Sequence, residues 1–258
     1  MTQATNGALM EVDGLALTFG GVRAIADLTM KVHRGEVLAV IGPNGAGKTS
    51  LLNAVTRVFD PSAGRIRFKG QDITALPRQR IAHLGLARTF QNIELFEAAT
   101  VLDNLMLGRH RFPQGQWWQQ LLRTPALVRL EEEAYAEVER VIDFLDLSPW
   151  RNAPISGLPY GVRKVVELGR ALCCKPELLF LDEPASGLNP EETRDLAFWI
   201  DDIRSDLGIT VVMVEHDMSL VSAVADRVIC MSQGLLLAEG TPAQVQSDPA
   251  VVAAYLGA

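Results

Sequence analysis

GPNGAGKTS, residues 42–50, follows the apolar run EVLAVI (36–41) and leads into the helical run LLNAV (51–55). It fits G-x-x-x-x-G-K-[ST] in the strand–loop–helix setting that the motif requires. Gly42, Gly45 and Gly47 let the backbone curl so that successive N–H groups line an anion-sized nest. Pro43, Asn44, Ala46 and Ser50 complete the loop. Lys48 places a point charge between the outer phosphates of a nucleoside triphosphate, and the Thr49 hydroxyl reaches a Mg²⁺ ion. The ordinary alternative is a glycine-rich turn with a solvated lysine. The strand before it and the helix after it argue for phosphate.

A second stretch, LLFLDEP (178–184), reads as a buried strand that releases two carboxylates at its end. Ligands of α/β proteins gather at the carboxyl ends of parallel strands. Asp182 then holds Mg²⁺ through water, and Glu183 orients and polarises an attacking water. Acidic pairs after strands are common surface features, so the assignment leans on the phosphate loop.

Three single residues suit the same chemistry. Gln91, in ARTFQNIELF (87–96), stands where strand-rich sequence gives way to helical sequence, and its amide suits Mg²⁺ and water. Read alone, a Gln is a surface residue. His216, in VVMVEHD (211–217), ends an apolar strand and suits contact with a γ-phosphate; a core histidine is the alternative. Phe19, in LTFGGVRAI (17–25), suits stacking on adenine, and a core strand position is the alternative.

The surrounding pattern is α/β. Residues 10 to about 75 are strand-rich with glycine turns, and about 98–147 read as helical. From residue 178 strand and helix alternate, which is the rhythm of a parallel sheet with crossover helices. The 258 residues suffice for one large domain or two small ones. A formal charge of −7 argues against a nucleic-acid binder working through a broad basic face. Three cysteines, two adjacent (Cys173, Cys174), make neither a disulfide framework nor CxxC spacing, and read as reduced cytosolic thiols. No apolar run approaches the roughly 20 residues of a membrane span, so membrane contact is expected only through a partner. Residues 1–8 are expected to fray.

One helix start is surplus. SGLPYGVRKVVELGRAL (156–172) opens with a glycine-bearing loop and continues amphipathically, so it too attracts an anion, far in sequence from the phosphate loop. GPNGAGKT, FQNIELF, this helix start, LLFLDEP, ASGLN and EHD, in that order, resemble the ATP-binding subunit of ABC transporters over nearly the whole chain. The resemblance implies a P-loop NTPase of ABC type: a RecA-like core, an antiparallel β subdomain and an inserted helical subdomain. Its expected boundaries are one ATP-binding domain over 9–258, with the core in 9–90 and 170–240, the helical part in 91–169 and a C-terminal helical extension in 241–258.

It further implies ATP and Mg²⁺ as cofactors, with Lys48, Gln91, Glu183 and His216 catalytic and Thr49, Gln91 and Asp182 at the metal. Two such ATPase subunits pair head to tail in this family. Gly157, Leu158, Pro159, Tyr160 and Gly161 would then bind the ATP held by the partner protomer, which accounts for the surplus helix start. The usual signature is LSGGQ, whereas this chain has LPYGV (158–162): Pro159 replaces the serine and Tyr160 the first glycine, which implies a weaker half-site. ASGLN ends in Asn189 where Asp is commoner.

The stretch LLRTPALVRLEEEAYAEV after LMLGRH, the xYG signature, VEHDMSLV and the ending DPAVVAAYLG resemble the ATPases of branched-chain (hydrophobic) amino acid importers. Pro249 is expected in the first turn of a terminal helix, and Trp117 and Trp118 in a buried contact. The implied partners are two membrane permease subunits and an extracytoplasmic binding protein, with this chain peripheral at the cytoplasmic membrane face. Importers of urea or short-chain amides, a soluble non-transport ABC ATPase and a small-molecule kinase remain as alternatives.

Overall fold

The structure is a computed structural model that describes residues 7–91, 93–112 and 124–256. Trp117 and Trp118 lie outside the described residues. Two compact units emerge: Met1–Arg88 with Glu177–Ala258, and Thr89–Pro176.

The first unit is built on a ten-stranded sheet. Its centre is β3 (Val37–Ile41), VLAVI, buried at every position. A strand apolar on both faces is stable only between covered neighbours. Those neighbours are β8 (Thr210–Val214) and β9 (Arg227–Ser232), both parallel to β3. β7 (Leu178–Asp182) pairs parallel with β8, and β6 (Leu86–Arg88) closes that edge against β7. On the other flank the chain alternates apolar and polar residues, and the pairing turns antiparallel. β1 (Ala8–Phe19) lies between β2 (Val22–His33) and β4 (Ala63–Phe68), with the short β5 (Gln71–Asp72) outermost. β1 already includes Ala8, within the stretch expected to fray. The two halves are joined where β10 (Leu235–Gly240) pairs with β9 and meets β2 at Leu235 and Asp27. The RecA-like core and the antiparallel part expected from the sequence are thus halves of one sheet.

The second unit is helical. α3 (Val101–Leu107) starts at a capping box in which Thr100 and Asp103 satisfy each other's backbone N–H groups. The helix Pro125–Phe144 starts with Thr124 as cap and proline in its first turn. The helix Tyr160–Cys173 crosses its neighbours at Gly169, where an added Cβ would lie 2.9 Å from Leu105 and 3.1 Å from Leu145. Asn104, fully buried, bonds both the N–H and the carbonyl of Phe96 and the carbonyl of Thr100, which pins the loop after Gln91. Cys173 and Cys230 are buried and none of the three cysteines is in a disulfide; burial pushes the Cys173 thiol up to about 12.

Candidate functional site

Three adjacent parallel strands, β3, β8 and β7, deliver the predicted residues to one end of the sheet. Register makes this concrete: Val214 is opposite both Val40 and Asp182. The loop after β3 is the phosphate loop, Glu215 and His216 follow β8, and Asp182 with Glu183 ends β7.

The loop needs its glycines for two different reasons. At Gly42 (φ 146°) a Cβ would sit 2.1 Å from the Met231 carbonyl oxygen, and at Gly47 (φ 100°) it would sit 2.4 Å from that of Ala24. Gly45 has open space, but its φ of 79° disfavours any other residue. Gly47 caps α1 (Lys48–Val55) without a side-chain bond. The first-turn N–H groups, which no helix can pair internally, are therefore left to an external acceptor. Thr49 is exposed at that turn. Lys48 Nζ donates to the carbonyls of Gly42 (2.6 Å) and Pro43 (3.0 Å). Burial holds its pKa below the ordinary lysine value, against the opposing pull of Glu183, Cys230 and Asp182. Tyr255, in the terminal helix Pro249–Leu256, has the Gly42 backbone as a hydrogen-bond partner, while burial pushes its phenol up.

Asp182 is buried and accepts a 2.7 Å bond from Arg88, which also donates to Asn53 (2.7 Å) and Thr56 (3.2 Å) on the α1 side. Glu183 adopts φ 47°, rare for a residue with a Cβ, and its N–H donates to the Val214 carbonyl. Such strain gathers at functional positions. His216 is no core residue: its side chain is 61% exposed. Phe19 is 41% exposed and lies edge to face with Phe59, centroids 4.9 Å apart. A hydroxyl and one carboxylate are hard oxygen donors that suit Mg²⁺ completed by phosphate oxygens and water. Among the described residues no cluster of three or more His, Cys, Asp and Glu forms an all-protein cage.

Gln91 and the second helix start belong to the other unit, Gln91 in the segment after β6. There Leu158 and Gly161 are buried while Gly157, Pro159 and Tyr160 are exposed. The helix begins at Tyr160 with Pro159 as an N-cap lacking a side-chain bond, so this end also offers backbone donors. Arg163 holds the loop by donating to the carbonyls of Leu158 and Ser156, both at 3.0 Å. Arg88, Phe59, Arg163 and Tyr255 are not marked by the sequence motifs, which lie in the glycine loops, the strand-end carboxylates and the segments of Gln91, His216 and Phe19. Arg88 had the one usable signal, a lone cation at the end of a short strand beside Gln91.

The model of the ABC transporter family matches residues 25–186. The chain belongs to the ABC transporter family. A second model, described as a branched-chain amino acid ATP-binding cassette transporter, matches 236–258. The chain is 41% identical to the high-affinity branched-chain amino acid transport ATP-binding protein BraF of Pseudomonas aeruginosa, covering 96% of this chain and 98% of that one. It is 39% identical to LivG of Escherichia coli K12 over the same shares. Among solved structures, the ADP conformation of an ATP-binding cassette of an ABC transporter superposes with a TM-score of 0.85 at 31% identity, covering 98% of this chain and all of that one. As an ABC ATPase the chain has its glycine loop, Asp182, Glu183 and His216 in the α/β unit. No described helix is long and apolar enough to cross a membrane.

Proposed function

We propose that this ABC protein is the ATP-hydrolysing subunit of an importer of branched-chain or other hydrophobic amino acids. The observation that carries the chemistry is the arrival of the phosphate loop, the Asp182–Glu183 pair and His216 on three adjacent parallel strands. Relatedness to BraF and LivG over nearly the full chain supports the substrate class.

In this reading the backbone N–H groups of the loop and Lys48 cradle the β- and γ-phosphates, and Phe19 stacks on adenine. Thr49 and Asp182 would hold Mg²⁺; bound there, the ion would neutralise charge on the phosphates. Glu183 orients the attacking water in line with the γ-phosphorus and draws on its proton. His216 donates to the γ-phosphate. Gly157, Leu158, Pro159, Tyr160 and Gly161 close over the ATP of a second ATPase subunit. Two permease subunits at the cytoplasmic membrane face receive the motion, and an extracytoplasmic binding protein delivers the amino acid.

The test is size-exclusion chromatography of Glu183→Gln protein in Mg-ATP, alongside an ATPase assay. A dimer that forms with ATP, and turnover at least about 100-fold below wild type, are expected for loss of a positioned general base. A chain that binds no ATP would end the reading. A variant that binds ATP yet stays monomeric points to a different ATPase subunit as partner.

A further inference from the structure

Glu215 is a fully buried acid one residue before His216. Its Oε1 accepts the N–H of Ala185 at 2.8 Å, and its Oε2 accepts those of His216 at 2.9 Å and Asp217 at 3.2 Å. The imidazole Nδ1 of His216 is 3.9 Å from Oε2. The backbone N–H of Glu215 donates to the Val40 carbonyl on β3. One carboxylate thus spans two loops: the turn that begins with the strained Glu183, and the turn that carries His216. Asp217 passes the connection on by capping the helix Met218–Val224.

We propose that Glu215 is a positioning residue that locks the Glu183 turn to the His216 turn, so that the water-orienting carboxylate and the γ-phosphate contact keep one mutual geometry. Packing alone argues for an apolar residue at the end of VVMV, since burying a carboxyl group is costly unless donors surround it. Here the donors come from both loops, so the cost is offset only when the loops are in register with one another. Misplacing a reacting group by about 1 Å costs on the order of 100-fold in rate. Coupling of this kind therefore acts on turnover and leaves binding at the phosphate loop unchanged.

The inference rests on the hydrolysis proposed above, and Glu215→Gln tests it. The carboxamide keeps the volume, but its NH₂ must face the donors of one loop, so that only the other stays held. The expected result is a fall of about 100-fold in kcat per nucleotide-binding site, with the KM for ATP within about threefold of wild type. An unchanged kcat per site, whatever the melting temperature, overturns the proposal. Amide exchange in the wild-type chain gives a second measure that needs neither hydrolysis nor a folded variant. Ala185, His216 and Asp217 should open with one shared protection factor, and factors differing by more than about tenfold would overturn the coupling. A wild type that binds ATP without hydrolysing it defeats the hydrolysis reading, while the exchange data still decide the coupling.

Discussion

Arg88 and Asp182 form a buried ion pair at 2.7 Å, joining the last residue of β6 to the last residue of β7. The same guanidinium reaches Asn53 and Thr56, so the candidate metal carboxylate is tied to the helix that begins at the phosphate loop. Removing one partner of such a pair leaves a buried charge. Arg88→Met should lower the unfolding free energy by about 3–5 kcal/mol, read by urea denaturation. Most of that loss should return in the Arg88→Met/Asp182→Asn double variant. A single variant as stable as wild type would contradict this account.

The glycines of the two helix starts should behave in opposite ways. Gly47→Ala drives a Cβ to 2.4 Å from a backbone carbonyl at φ 100°, where no side chain can move aside. ATP affinity, measured with a fluorescent ATP analogue, should fall at least about tenfold. Gly157 has nothing within 4 Å of an added Cβ. Gly157→Ala should leave the melting temperature of the isolated chain within about 2 °C of wild type, because exposed changes of this kind stay near zero.

Phe59 holds Phe19 edge to face at an interplanar angle of 74°. Pairs of this kind contribute about 0.5–1.5 kcal/mol beyond area burial. If Phe19 stacks on adenine, Phe59→Ala should weaken ATP binding about three- to tenfold while leaving triphosphate binding unaffected. Equal loss for both ligands would place the effect in the loop instead of the base contact.

Asp217 caps its helix through Ser219 and Leu220, and its bond from Ser219 lowers the carboxyl pKa in the fold. A depressed acid stabilises the fold above its unfolded pKa, and that contribution disappears as pH falls through the lower folded value. Asp217→Ala should cost about 1 kcal/mol at pH 7. The difference from wild type should shrink on titrating from pH 5 towards pH 2, as seen in urea midpoints at each pH. A gap that widens in acid would show that another group is responsible.

Local signals were legible because they are written in consecutive residues. VLAVI is apolar throughout and LLFLD is apolar up to its terminal Asp182, as suits strands covered on both faces, and both are buried at every position. Pro249 marked a helix start by chemistry acting within a few bonds. At two positions exposure removed the core alternative. His216 and Phe19 each had a core position as the alternative, yet both reach solvent. The single antiparallel-to-parallel sheet was not legible, because it depends on β10 meeting β2 at Leu235 and Asp27, with the Ala26 N–H donating to the Gly234 carbonyl, between segments far apart in the chain.

The sequence by itself determined the local pieces: a loop whose positive φ values favour glycine, a lysine and a hydroxyl beside it, and carboxylates set at a strand end. It also carried the family, since those motifs occur in a fixed order along the chain. Tertiary structure alone decided who holds them. Arg88 reaches Asp182 across 94 positions, Phe59 braces Phe19, and Glu215 binds an amide 30 residues away. Such partners follow from strand order and register, because two groups share a hydrogen bond only when the sheet brings their backbones to the same level.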